Sequence, residues 1–187
     1  MRKTLAHLLL AGSLLLSGCA QVPAPPLDIE DPANGMIFGS IRADVMITKV
    51  VLHEYGKFYL PPFVVPPKVQ VYPNGDFVAV NLKPGKYYLA GFTARKGLSE
   101  FHNFRLSAKN ISPYMTVITV KPGALQYVGS FRIAGKLQFD KNAKAHEFYI
   151  THTYYPGERE ILRRIYDLTD GTGWQDRISQ RLKSLAM

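Results

Sequence analysis

The chain has 187 residues, a formal net charge of +9 and a single cysteine. This length suffices for one domain with a substantial core. One cysteine excludes an intramolecular disulfide framework and a Cys-ligated zinc site, so the stability of the fold must come from packing. The lysines and arginines are spread along the chain, which predicts a solvated, mildly basic surface and no nucleic-acid partner.

The first element along the chain is a predicted signal peptide over residues 1–18. Arg2 and Lys3 precede an apolar run over residues 8–16, and small residues follow it. A positive start, a short apolar segment and a small-residue exit are typical of secretory signals. The run is shorter than the roughly 20 apolar residues that a membrane-spanning helix needs.

The signal ends at the cysteine, in Leu16-Ser17-Gly18-Cys19, which resembles the lipobox of bacterial lipoproteins. The resemblance implies cleavage between Gly18 and Cys19, diacylglycerol on the thiol and acylation of the new amino terminus. Two or three acyl chains anchor stably, since each buried methylene contributes about 0.8 kcal/mol. The alternatives are an ordinary secretory signal with a chance cysteine, or a free thiol in a membrane helix.

The lipobox resemblance also predicts where the mature protein resides. Ala20 follows Cys19, which in bacterial lipoproteins implies sorting to the outer membrane, facing the periplasm. Removing Arg2 and Lys3 with the signal leaves +7 of the formal +9. The polyanions available to such a protein are lipid headgroups, lipopolysaccharide and cell-wall acids.

Residues 19–35 form a predicted tether. This stretch contains Pro23, Pro25, Pro26 and Pro32 and few residues able to build a core. Proline-rich segments favour extended conformations, so a semi-rigid link between bilayer and domain is expected.

Strands and turn signals dominate residues 36–155. Predicted strands lie over 36–43 and 45–54, which are rich in Ile, Val and Met, and over 68–72, 77–82, 101–106 and 115–120. Pro73-Asn74-Gly75-Asp76 separates two of them and predicts a hairpin. Phe63-Val64-Val65, bracketed by proline pairs, fits an edge strand or an irregular connection.

One turn phrase occurs twice. Lys83-Pro84-Gly85 and Lys121-Pro122-Gly123 each follow an apolar residue and lead into a tyrosine-containing strand. Proline fixes φ at the first central position and glycine supplies a positive φ at the second, which predicts a type II turn at both places.

Short strands at this spacing, without a long helical period, predict a mainly β antiparallel sandwich. Together with the Pro-Gly turns, the pattern resembles the prealbumin-like sandwiches related to carboxypeptidase regulatory domains. It also resembles bacterial lipoprotein domains of unknown function. The resemblance implies the fold and not an activity.

Residues 156–187 predict a helical hairpin. Ile161, Ile165 and Leu168 share one helical face, and Glu160 stands four residues before Arg164, as an ion pair requires. Thr172-x-x-Gln175 has the form of a capping box for the second helix.

The second helix carries an apolar stripe of Trp174, Ile178, Leu182 and Leu185. Packing on the sandwich is the favoured interpretation, since an exposed stripe of this size is a liability. The alternative is that Trp174, Ile178 and Leu182 form an interaction face for a partner or the membrane surface.

No chemical motif stands out. The spacing of His146 and His152 does not suit a shared metal ion, and the chain lacks a nucleophile elbow, a P-loop and a dinucleotide fingerprint. We therefore expect no catalytic residues, no metal, no cofactor and no enzyme activity. The many tyrosines and phenylalanines are expected mainly in the core, although an exposed subset would suit carbohydrate or peptide binding.

The sequence thus predicts a lipid-anchored, non-catalytic binding or assembly module with an envelope protein or cell-wall partner. Two alternatives remain open. One is an accessory lipoprotein of an envelope machine such as a secretion system. The other is a cell-wall or carbohydrate-binding accessory, or a hydrolase accessory.

Overall fold

A computed structural model of the chain describes residues 27–57, 65–96, 99–103, 117–136 and 147–187. The predicted signal peptide, Cys19, Phe63 and His146 lie outside these residues. Within them the elements are β1 Gly35–Arg42, β2 Met46–Glu54, β3 Gln70–Val71, β4 Asp76–Leu82, β5 Gly85–Lys96, β6 Ser99–Asn103, β7 Ile118–Val120, β8 Leu125–Lys136, β9 Glu147–Thr153, α1 Glu158–Leu168 and α2 Gly173–Ser184.

The strands form two sheets, and the mainly β sandwich with a helical hairpin is confirmed. One sheet has five strands in the order β3-β4-β1-β8-β9, and the other has the order β2-β5-β6 with β7 also paired to β5. The helices α1 and α2 cover the face of the five-stranded sheet that points away from the other sheet, here called the outer face. The described structure is therefore three layers.

Two hydrophobic clusters hold the layers together, and β1 contributes to both. Ile37 and Ile41 belong to the sandwich core between the two sheets. Met36 and Phe38 belong to the helix core between the five-stranded sheet and the helices. Successive side chains of a strand point to opposite faces, so the run Met36-Ile37-Phe38 supplies both clusters.

All but one of the strand pairs are antiparallel, as predicted. The exception is β1 with β8, which run parallel, with Met36 opposite Leu125 and Phe38 opposite Tyr127. The strand before β8, β7, belongs to the other sheet. The chain therefore crosses from the other sheet to reach β8. A tight hairpin turn would force neighbouring strands to be antiparallel, but β1 and β8 are not joined by one and can run parallel.

The Asn-Gly hairpin between β3 and β4 has the geometry of a tight turn closed by glycine. Gly75 N donates to Tyr72 O at 2.9 Å, and Tyr72 N donates to Asp76 O at 2.8 Å. Gly75 has a φ of 86°, in the left-handed region that glycine tolerates.

The two Pro-Gly phrases differ in structure. Gly123 has a φ of 67°, and Ala124 N donates to Lys121 O at 3.1 Å, as in a type II turn. The type II turn predicted at Pro84-Gly85 is wrong, since Gly85 has no positive φ and is the first residue of β5, paired with Val120. The positive φ near that point belongs to Asn81, at 57°.

Both helices lie within the predicted hairpin of residues 156–187, and α2 packs on the sheet. Trp174 and Ile178 are fully buried in the helix core, and Leu182 is partly buried against it. The alternative that Trp174, Ile178 and Leu182 form an exposed interaction face is therefore wrong. The stripe packs on the sheet because burying its apolar surface away from water is favourable.

Neither of the two local contacts that the sequence predicts for the hairpin is formed. Glu160 accepts a hydrogen bond from Gly157 N at 2.8 Å, so it does not pair with Arg164. Thr172 is the N-cap of α2, but its hydroxyl donates to Thr169 O, so the capping box is not formed. The N–H of Gly173 donates instead to the Asp28 carboxylate at 2.8 Å.

Residues 27–34, which the sequence places in the tether, lie against the helices and are here called the docking segment. Trp174 Nε1 donates to Leu27 O at 3.0 Å. The guanidinium of Arg177 donates to Pro32 O at 2.8 Å and to Asn34 O at 2.9 Å. The last eight residues before β1 are thus fixed to α2.

Neither helix in the described part of the chain combines the length and the apolar composition required to cross a membrane.

Substituting the two turn glycines should separate their roles. Gly123→Ala should lower the free energy of unfolding by about 1 kcal/mol or more, because a side chain at a left-handed φ is strained. Gly85→Ala is the matched control, because a Cβ there would meet Tyr87 Cε2 at 3.7 Å, an ordinary contact. Urea denaturation measures both, and equal losses would contradict the turn assignment.

Trp174→Ala should lower the free energy of unfolding by about 3 kcal/mol or more, because a fully buried aromatic side chain is lost and a cavity remains. Urea denaturation followed by circular dichroism measures the loss. Tyr154→Ala removes an aromatic ring that is 95% exposed and should change little. A small effect of Trp174→Ala would argue against the packed hairpin.

The contact between Asp28 and α2 should depend on pH. The hydrogen bond from Gly173 N, followed by that from Ile29 N, lowers the pKa of Asp28 below its ordinary value of 3.8. The charged form is thus favoured by folding, so its stabilisation is present above pH 3.8 and is lost as the pH falls through the lowered folded pKa.

Asp28→Asn should therefore lower the melting temperature at pH 7, and the difference from the natural protein should shrink below pH 3.8. Asp176→Asn makes the same charge change in the first turn of α2 and serves as the control. A difference for Asp28→Asn that stays constant with pH would show that the carboxylate is not the stabilising group.

Candidate functional site

The candidate site lies on the outer face of the five-stranded sheet, beyond the start of α1. Ile41 and Phe131 are register partners on β1 and β8, and both point into the sandwich core. The next residues, Arg42 and Arg132, are also register partners. Because side chains alternate along a strand, these two arginines project from the outer face side by side.

Arg42 is held by an aromatic ring. Its guanidinium carbon lies 5.5 Å from the centroid of the Tyr155 ring, within the range of a cation–π contact. Its Nε is buried and has no hydrogen-bond partner within the described part of the chain. A buried donor without a partner is costly, which distinguishes this arginine from an ordinary surface one.

Arg132 is the more exposed member of the pair. One of its guanidinium nitrogens lies 3.4 Å from Asp44 Oδ1, and the two side chains are 61% and 86% exposed. Ion pairs this open to solvent contribute little. Asp44 therefore neutralises Arg132 only weakly, and because Arg42 is its register partner the local charge is positive.

A pocket of about 340 Å³ opens between these groups. Its lining consists of Arg42, Ala43, Asp44, Phe131, Arg132, Thr153 and Tyr155. A second pocket of about 370 Å³ lies on the other side of Arg42 and is lined in part by Val45, Met46 and Pro73. Arg42 therefore lines both pockets.

A third arginine has a structural role. Arg164 of α1 binds Asp76 through two hydrogen bonds of 2.6 and 3.2 Å, and the Asp76 side chain is only 2% exposed. Burial and the negative charge of Asp76 raise the pKa of Tyr72 to about 12. This buried ion pair joins α1 to the β3–β4 hairpin.

The histidines are dispersed in the described structure. His53 Nδ1 lies 3.3 Å from the Tyr88 hydroxyl, and burial lowers the pKa of His53. His152 is exposed and contacts the edge of Phe131. Among the residues described, no three His, Cys, Asp or Glu side chains gather as a metal site would require. The side chains of His102 and His146 lie outside the described residues.

The arginine pair is not predicted from the sequence. Arg42 and Arg132 are separated by 90 positions, and Tyr155 follows in the loop between β9 and α1. One feature of the sequence did single out Arg42. It is the charged last residue of β1, a strand whose other residues are buried. The alignment of β8 beside β1, which brings the two arginines together, leaves no local trace in the sequence.

No protein-family model matches the chain, and none of the curated proteins matches it at a significant level. Among solved structures, it is similar to the crystal structure of a DUF3823 family protein from Parabacteroides merdae, with 18% identity and a TM-score of 0.28. The match covers 65% of this chain and 60% of that protein, so the chain spans less than two thirds of its length. A likeness at this level bears on neither fold nor function.

Proposed function

We propose that the chain is a bacterial lipoprotein, anchored by lipid on Cys19 to the periplasmic face of the outer membrane, which acts as a non-catalytic binding module. The observation that carries the proposal is the Leu16-Ser17-Gly18-Cys19 motif, with its cysteine placed shortly before the docking segment. The motif supplies an anchor, and the docking segment supplies a fixed point on the folded domain.

The distance between the anchor and the domain is short. Eight positions separate Cys19 from Leu27, where the docking segment begins. An extended chain covers about 3.3–3.6 Å per residue, so Leu27 can stand at most about 29 Å from the lipidated residue. Leu27 is hydrogen-bonded to Trp174 near the start of α2. Under this proposal the α1–α2 turn therefore stays near the bilayer.

The chemistry of the candidate site supports binding. Arg42 and Arg132 supply fixed positive charge and N–H donors, while Tyr155 supplies an aromatic surface. Guanidinium groups remain protonated in proteins, so they bind and orient anions but do not exchange protons as a general acid or base would. A ligand from the polyanions of the cell envelope fits this site better than a neutral apolar ligand.

The anchor is tested by replacing its cysteine. Cys19→Ser should abolish incorporation of labelled palmitate and leave the preprotein at its uncleaved length, because the thiol is the lipid acceptor. Ser17→Ala keeps a small residue within the motif and should incorporate palmitate as the natural chain does. Metabolic labelling followed by membrane fractionation measures both variants. Equal labelling of the Cys19→Ser variant would remove the lipoprotein assignment.

A further inference from the structure

We propose that Arg42, Arg132 and Tyr155 form a binding site for an acidic sugar, meaning a saccharide that carries a carboxylate or a phosphate group. The proposal deepens the binding role proposed above and rests on it. The site has two parts. In the anion position, the acidic group binds between the two guanidinium groups; in the ring position, the sugar ring lies on the face of Tyr155.

The anion position follows from the strand register. Arg42 and Arg132 are directly opposite each other on neighbouring strands. Like charges on neighbouring strands repel each other. Asp44 offsets this repulsion only weakly, because the carboxylate is 86% exposed and 3.4 Å from Arg132. An anion between the two guanidinium groups removes the repulsion and gains charge-assisted hydrogen bonds.

Arg42 is already ordered for this role. Its guanidinium lies against the Tyr155 ring, and its Nε is buried. A side chain that is fixed before binding loses little further conformational entropy when a ligand arrives. The planar guanidinium also presents paired N–H donors that match carboxylate and phosphate oxygens.

The ring position follows from the remaining lining. Tyr155 is 62% exposed although its ring is in contact with Arg42. An aromatic ring accessible to solvent offers an apolar surface beside polar groups, which suits the C–H face of a sugar. The Thr153 hydroxyl and the Asp44 carboxylate border the same pocket and can accept hydrogen bonds from sugar hydroxyls.

The pocket size agrees with a small saccharide. Its volume of about 340 Å³ lies at the lower end of the range of small-ligand sites. A free phosphate ion would occupy only the part between the arginines. A peptide carboxyl terminus would satisfy the arginines but would leave the acceptors Asp44 and Thr153 without hydroxyl partners.

The test is ligand-observed saturation-transfer NMR on the full chain in nonionic detergent micelles. The probes are glucuronate and glucose 6-phosphate as acidic sugars, glucose as the neutral sugar and N-acetyl-alanyl-alanine as the peptide carboxylate. Inorganic phosphate is added as a competitor. We expect both acidic sugars to bind at least tenfold more tightly than glucose and the peptide. Raising the salt concentration should weaken them.

Variants locate the binding. Arg42→Gln and Arg132→Gln should each weaken glucuronate binding at least tenfold, and Tyr155→Leu should weaken it severalfold while keeping the bulk of the side chain. Arg163→Gln is the matched control, because Arg163 is exposed on α1 and the change in charge is the same. Its affinity should equal that of the natural chain. If the Arg42→Gln variant does not fold, the glucuronate affinity of the Arg132→Gln variant tests the proposal by itself, because Arg132 is the more exposed of the two.

Several distinct results would overturn the proposal. These are absence of binding by both acidic sugars, equal binding of glucose, tighter binding of the peptide, or an unchanged affinity in the Arg132→Gln variant. Complete displacement by phosphate at concentrations equal to the sugar would show an anion site without a ring position, which also overturns it. Palmitate labelling of Cys19 can succeed while these titrations fail, so failure of the ligand assignment is distinguishable from failure of the anchor.

Discussion

The central constraint on this fold is that β1 is buried on both faces. Met36, Ile37 and Phe38 are fully buried in succession, one pointing to the sandwich core and two to the helix core. Each large side chain buried in this way contributes roughly 1.5–3 kcal/mol. The next residue of the strand is Gly39, where the packing leaves no space for a side chain. A Cβ there would meet Gly129 O at 2.7 Å and Phe77 Cζ at 2.8 Å. Both sheets and both helices therefore depend on one short apolar strand.

The elements of the fold could be predicted where local signals agreed with tertiary packing. Runs of apolar residues between turn signals marked most of the strands, and the helical period marked the hairpin of residues 156–187. Local signals failed where a distant group made a better contact. Arg164 binds Asp76 from another layer and not Glu160 from its own helix, and the Asp28 carboxylate takes the N–H of Gly173 that a local capping box leaves free. The Asp76 carboxylate is only 2% exposed, so its ion pair with Arg164 is shielded from water, while an exposed i,i+4 pair contributes only a few tenths of a kcal/mol.

The candidate site could not be predicted from the sequence for a related reason. None of its residues stands out alone, since an arginine at a strand end and a tyrosine in a loop are common surface residues. The site exists because β8 lies parallel to β1 in a register that aligns Arg42 with Arg132. That register depends on the crossing between sheets through the Lys121–Ala124 turn, where Gly123 and the docking segment meet. Gly123 was predicted from the sequence as a turn residue. Through this turn it helps to position Arg42 and Arg132, whose pairing could not be predicted.

The docking segment also determines where mechanical tension would enter the protein. A pull applied to the chain upstream of Leu27 first loads α2, through the bonds of Leu27 to Trp174 and of Asp28 to Gly173. It also loads the end of β4, where Asn81 donates to Asp28 O and accepts from Glu30 N. The contacts of Arg177 with Pro32 and Asn34 come next along the chain, and β1 follows them. Tension would therefore break the contacts of the docking segment with α2 and Asn81 before it reached β1. If the chain is anchored at Cys19 as proposed, release of the docking segment would lengthen the link between the anchor and the domain by several residues while β1 stays in place.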